Sequence, residues 1–159
     1  MRFGMLVAGV ALVLGLGVVA RAQTPGSNID SYIEVLRSDV QARKTKILAE
    51  ALKLDDAEAA KFWPIQREYE TDLARVIDRR VALIHEYAEV YAAIDDEKAD
   101  DLARRALAIQ KDLVELREKY FKRIRKAVGA RRAAQFVQVE STLDALMDIK
   151  VGSALPLIP

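Results

Sequence analysis

"VYAAIDDEKADDL", residues Val90–Leu102, is the stretch on which the fold turns. It lies between two long apolar stripes and interrupts both. Upstream, Phe62, Ile65, Tyr69, Leu73, Val76/Ile77, Val81, Ile84, Tyr87, Tyr91 and Ile94 recur with a helical period. Downstream, Leu102, Ala106, Ile109, Leu113, Leu116, Tyr120, Ile124 and Val128 do the same. Near Ile94-Asp95 there is room only for a short linker, and Asp95 and Asp96 suit a helix start, where negative charge complements the backbone dipole. Two helices joined so tightly must fold back on each other. The spacing therefore predicts an antiparallel hairpin with arms about 45 Å long, at about 1.5 Å per residue.

The upstream arm begins at "LDDAE", Leu54–Glu58. Asp55 is placed as N-cap and Glu58 at the third helical position, which makes a capping box, with Leu54 set for a hydrophobic staple. Pro64 follows too deep to be a first-turn proline. It removes one donor and crowds the carbonyl four residues back, so it is expected to kink the helix and re-aim Phe62 and Trp63. The downstream arm ends at Gly129, a residue free to take the left-handed conformation after a helix.

Beyond the hairpin, a first helix is predicted over about Asp30–Leu52, carrying Tyr32, Leu36, Val40, Ile47 and Leu48, with a thin stripe between Val40 and Ile47. A last helix over about Ala130–Ile149 carries Ala133, Phe136, Val137, Leu143 and Met147. No segment shows a period of two. From Ser27 to Val128 there is no glycine and one proline, in a run rich in good helix formers. The expected fold is all-α: a bent long antiparallel helical hairpin flanked by a shorter helix at each end. Residues 30–149 form a single helical domain, and 150–159 an apolar extended tail that is not helical past Gly152.

The first residues read differently. Arg2 supplies a positive start, Gly4–Val19 an apolar run, and Ala20-Arg21-Ala22 a small-residue cleavage pattern. Residues 1–22 are read as a secretory signal peptide cleaved before Gln23, and 23–29 as a flexible leader, which places the mature chain in the periplasm. Removing Arg2 and Arg21 leaves 23 basic against 24 acidic residues, a net charge of −1 and no footprint for nucleic acid. The chain has no Cys, hence neither a disulfide framework nor thiolate chemistry.

No reactive constellation emerges. His85 is the single histidine and pairs only with Glu89 one turn on, short of the three or four ligands a transition metal needs. The carboxylate pairs Asp55-Asp56, Asp95-Asp96 and Asp100-Asp101 sit at helix starts, where capping accounts for them. There is no nucleophile–base set and no phosphate-cradling glycine loop. The chain is read as non-enzymatic, without cofactor or metal.

Two features point to binding instead. Trp63 falls off the apolar stripe and, with Phe62, is a candidate contact for a partner. The block "REKYFKRIRKAVGARR", Arg117–Arg132, concentrates cations; Arg125, Arg131 and Arg132 are candidates for anionic clients or a membrane surface. A further pair is structural: Arg80 falls on the apolar face of the upstream arm and Glu140 on that of the last helix. A charge facing a core needs a partner, so Glu140 is expected to meet Arg80, or failing that another hairpin arginine.

The layout resembles the Spy/CpxP-like family of periplasmic helical proteins, whose signature is a repeated L-T-x-x-Q motif. Leu54-Asp55-Asp56-Ala57-Glu58 matches it with Asp for Thr and Glu for Gln. Ile94-Asp95-Asp96-Glu97-Lys98 matches in position, with Lys where Gln belongs, and Val128-Gly129-Ala130-Arg131-Arg132 keeps the aliphatic first place. Phe136-Val137-Gln138-Val139-Glu140 is similar to an F-x-Q-x-E run of related sequences. The resemblance covers roughly Asp30–Ile149. It implies an exported, cofactor-free cradle, homodimeric or not, that binds unfolded or partly folded exported proteins, or an envelope-stress component. The other reading is a regulatory, sensor or scaffold module that binds one folded envelope partner.

Overall fold

The computed structural model describes residues 40–158. The readings for the signal peptide, the leader and the start of the first helix at Asp30 lie outside the described residues. Among the described residues four α-helices follow in order: α1 (Val40–Leu52), α2 (Asp56–Val90), α3 (Asp96–Val128) and α4 (Ala130–Ala154). No strand occurs among the described residues, so the fold is all-α, a long helix pair flanked by a shorter helix at each end.

The caps explain the boundaries. Lys53, at φ 46°, takes the left-handed conformation that ends α1, its N–H still bonded to the Ala49 carbonyl at 3.1 Å. Two residues later the capping box closes as expected: Asp55 Oδ1 accepts from Glu58 N at 2.7 Å, and Asp55 N donates to Glu58 Oε2 at 3.2 Å. α2 then runs unbroken through Pro64. The proline is tolerated because it and Ala60, whose carbonyl loses its partner, are both exposed to water. The upstream arm ends as α-helix at Val90, earlier than its stripe predicts, and tightens into a 3₁₀ turn over Tyr91–Ala93. Asp95 caps α3 by accepting from Lys98 N at 2.8 Å; with Lys in place of Glu at the third position, no reciprocal bond forms.

One residue, Gly129, separates α3 from α4. It has φ 86° and ψ 166°, a region essentially reserved for glycine and different from the ordinary left-handed cap. Its N–H bonds the Arg125 carbonyl at 3.0 Å while its own carbonyl accepts from Ala133 N at 3.2 Å. The chain thus reverses within one residue, and α4 returns along α3, parallel to α2.

The core has two parts. At the base, all four helices contribute: Leu48 and Leu52 from α1, Phe62 and Tyr69 from α2, Tyr120 and Ile124 from α3, Ala133 and Phe136 from α4. Its rings meet edge to face, Tyr69 with Tyr120 and with Phe136 at 5.2 Å each, Phe62 with Phe136 at 6.1 Å. Toward the hairpin turn the core is formed by Val76 and Leu83 of α2 and Leu102, Ile109 and Leu113 of α3.

The C-terminal end corrects the expected extended tail. α4 stays helical through Gly152 to Ala154, and the extended segment begins at Leu155. A glycine in a helix costs about 1 kcal/mol. Burying Val151, 6% exposed, against the upper hairpin offsets that cost. Among the described residues no helix is long and apolar enough to cross a membrane.

At Gly129 a Cβ would meet nothing within 4 Å, so the strain of a substitution comes from the backbone alone. Gly129→Ala is expected to lower stability by about 1–3 kcal/mol, read as an earlier urea midpoint at unchanged slope.

Candidate functional site

Where base and hairpin meet, a set of buried polar side chains joins the helices. Glu140 of α4 is 4% exposed. Its Oε2 accepts from the Tyr69 hydroxyl at 2.8 Å and pairs with Lys44 Nζ of α1 at 2.7 Å. Lys44 also pairs with Glu70 Oε1 at 2.8 Å and lies over the Tyr69 ring, 5.0 Å from its centroid. Gln66, buried, donates to the same Glu70 oxygen at 2.9 Å. Burial pushes the Glu140 carboxyl above its ordinary range, opposed by the charge of Lys44 and by the bonds it accepts. Burial first, and the Glu140 charge second, push the Tyr69 phenol up as well.

The expected Arg80–Glu140 pair does not form, and no hairpin arginine takes its place. Arg80 pairs with Asp148, and at 3.8 Å with Asp144, while Arg117 of α3 reaches Asp144 at 2.5 Å. The reason is axial register. Glu140 sits level with Tyr69, and Arg80, further along the parallel α2, is about 16 Å away by helical rise. Glu140, Asp144 and Asp148 form a row one turn apart on α4, and Arg80 meets its far end. Lys44 takes the near end. It occupies the gap in the α1 stripe between Val40 and Ile47, which is the signal in the sequence that marks it.

Beside the hairpin turn lies an apolar groove of about 440 Å³. Leu83 and Tyr87 of α2 and Leu102, Ala106 and Ile109 of α3 form its walls, and the end of α4 with residues 155–158 runs along it. The Tyr87 hydroxyl donates to the Pro156 carbonyl at 2.6 Å. Desolvation, with a smaller contribution from Tyr91, pushes the Tyr87 phenol up. Leu157 is 89% exposed and Ile158 49%, so apolar surface continues outward from the groove. The groove is built from three distant segments, and no motif marks it.

The other candidate residues divide. Phe62, expected as a partner contact, is fully buried in the base core, because α4 brings Phe136 onto it; that reading is corrected. Trp63 is half-buried, packed on the same core and edge-on to Phe62 at 5.0 Å. Arg132 is tied down: it donates to the Lys53 carbonyl at 3.1 Å and to Gln135 at 3.4 Å, with Glu58 at 3.7 Å. It holds the α1–α2 junction to the start of α4. Much of the basic block is neutralised from neighbouring turns and helices, Lys119 by Asp72 at 2.8 Å and Arg123 by Glu68 at 2.7 Å. Arg125 and Arg131 are exposed, without an ion pair among the described residues. Near the turn, hydrogen bonds from Arg105 and Lys98 lower the Glu86 carboxyl to about 2 and tie α2 to α3. His85 is exposed, and among the described residues no His, Asp or Glu group is arranged to hold a metal.

Removing one member of a buried pair leaves the other unpaired, at a cost of about 3–5 kcal/mol. Lys44→Met is therefore expected to destabilise the protein by that order at neutral pH, measured by urea unfolding. The sign with pH follows from Glu140. Its folded pKa is raised, so the folded state binds the proton more tightly than the unfolded one, and stability falls as pH rises from the ordinary carboxylate value through the raised one. Without Lys44 that fall is steeper. The loss in Lys44→Met should then shrink in acid, where Glu140 is neutral; a loss independent of pH would show that the pair carries no charge effect.

Compared with known proteins, the chain matches no family model, no curated protein and no solved structure.

Proposed function

We propose that the protein is a periplasmic, cofactor-free client-binding protein of chaperone type, similar in layout to the Spy/CpxP-like proteins, that holds extended apolar segments of partly folded exported proteins. The observation that carries this reading is the groove and the segment that borders it. The tail, an extended apolar stretch, lines the groove together with Leu83, Tyr87, Leu102 and Ile109, and one main-chain carbonyl is taken by Tyr87. A foreign segment of the same chemistry meets the same surface: apolar walls supply affinity without selecting sequence, and the hydroxyl reads a carbonyl that every peptide has. Apolar surface bordered by charge is what promiscuous holding needs. Arg125 stands about 18 Å by helical rise beyond Leu113, the last α3 residue of the groove, so a role for this cation belongs to later, longer-range contact.

The tail is tethered beside the groove, so it competes with any client at a high effective concentration. The test is light scattering from a test protein diluted out of denaturant, with and without the purified mature chain. Suppression of aggregation is expected. A chain ending at Ala154 is expected to suppress at lower concentration than the intact one, with its helix content, checked by circular dichroism, unchanged. Aggregation unaffected by both chains overturns the reading, and recovery of one stoichiometric folded partner in its place favours a scaffold role.

A further inference from the structure

α1 runs toward the base, antiparallel to α2: Lys44 pairs with Glu70, while Leu48 and Leu52 join Phe62 in the base core. Followed backward from Lys44, its axis points up the hairpin, along the seam between α2 and α4. Above Lys44 that seam holds a cavity of about 130 Å³, with Leu73 and Ile77 of α2 and Leu143 and Met147 of α4 on its apolar wall. It is distinct from the groove at Tyr87 and does not depend on the client reading. The same wall carries four carboxylates, Glu70, Asp78, Glu140 and Asp144, against three cations, Lys44, Arg80 and Arg117. Lys44 serves Glu70 and Glu140 at the lower end, and Arg80 and Arg117 share Asp144 at the upper one. The excess charge is negative, and Asp148, the other partner of Arg80, adds to it.

The chain that precedes Val40 has the length and the charge to cover this seam. Arg80 stands about 15 Å above Glu70 by helical rise, and position 34 stands the same distance from Lys44 along the axis of α1. Arg37 comes two turns before Lys44, on the same helical face. Two turns above Glu70 on α2 is Ile77, next to Asp78; two turns above Glu140 on α4 is Met147, next to Asp148. A cation at position 37 thus arrives where the wall has carboxylates to spare. Glu34 falls at the height of Arg80, and Ile33, one turn before Arg37, supplies apolar surface beside them. The segment is also tethered in line with the seam, so it outcompetes any free ligand of similar chemistry.

We propose that residues 30–39 continue α1 up the hairpin and dock along the α2–α4 seam, with Arg37 directed to Asp78 and Asp148, Glu34 to Arg80, and Ile33 against the apolar wall. The test is amide hydrogen exchange at residues 33–39 of the purified mature chain, with the Met147 methyl followed by NMR in the same samples. Met147 is the single methionine of the mature chain, so its signal needs no assignment. The expected result in the wild type is exchange slowed by at least about tenfold relative to an unstructured peptide of the same sequence. Arg37→Glu places a negative charge among the carboxylates of the seam. It is expected to return residues 33–39 to fast exchange and to shift the Met147 methyl, while amides of the base core around Tyr69 and Phe136 stay protected. Should Arg37→Glu fail to fold, Arg37→Gln decides by the same two readouts. Fast exchange in the wild type overturns the proposal. Slow exchange that survives the substitution, with the Met147 methyl unmoved, places the segment elsewhere and overturns it too.

Discussion

Glu140 is a carboxylate placed in the core, between Phe136 and Leu143 on the inner face of α4, and the way it is satisfied sets the arrangement of the helices. Its two partners come from different elements, Tyr69 from α2 and Lys44 from α1. A slide of α1 by one turn, about 5.4 Å, takes Lys44 out of contact and leaves two buried charges unpaired. Apolar side chains alone do not impose so sharp a penalty, because Leu48 and Leu52 can repack after a small shift. A buried pair of this kind adds little net stability over an apolar substitute. Its effect is on register: it selects one axial position for α1 among several that an apolar interface would accept.

The two ends of the hairpin consequently differ in kind. The base buries side chains from four helices and interlocks Phe62, Tyr69, Tyr120 and Phe136 edge to face. The other end buries only aliphatic side chains of α2 and α3, with Val151 of α4 beside them, and carries partly exposed ion pairs such as Arg105–Glu86 and Arg105–Asp101. Exposed pairs contribute roughly 0–1 kcal/mol each. Local opening should cost less there than at the base. That difference suits the proposed role of the groove, in which a segment is admitted and released without loosening the rest of the molecule.

The cations of Arg117–Arg132 show how a local cluster in sequence dissolves in three dimensions. Arg117 is used inside the bundle on Asp144, Lys119 and Arg123 on carboxylates of α2, and Arg132 on a carbonyl at the α1–α2 junction. On a helix, residues in one run point in all directions, and each meets whatever the neighbouring element presents. Arg125 and Arg131 remain as exposed charge, a smaller patch than the run suggests.

The sequence by itself determined what depends on neighbours along the chain. Helical period, caps and breakers act within a few residues, so the hairpin, the Asp55–Glu58 capping box, the Asp95 cap and the end of α3 at Gly129 were legible. The apolar stripes likewise named Tyr69, Ile109, Leu113, Tyr120, Ile124 and Phe136 as inward-facing, and all are buried. Which inward residue meets which was decided by tertiary structure. That a core-facing Glu140 needs a partner could be read; that the partner is Lys44 and not Arg80 depends on the rise of two parallel helices and on how Gly129 sets the height of α4. The same holds for Phe62, whose burial requires α4 to cover it, and for the helical turn past Gly152, which exists because Val151 finds the hairpin. The groove at Tyr87 and the cavity at Glu140 each gather side chains from at least three segments, and an interaction between distant segments leaves no spacing along the chain from which it could be read.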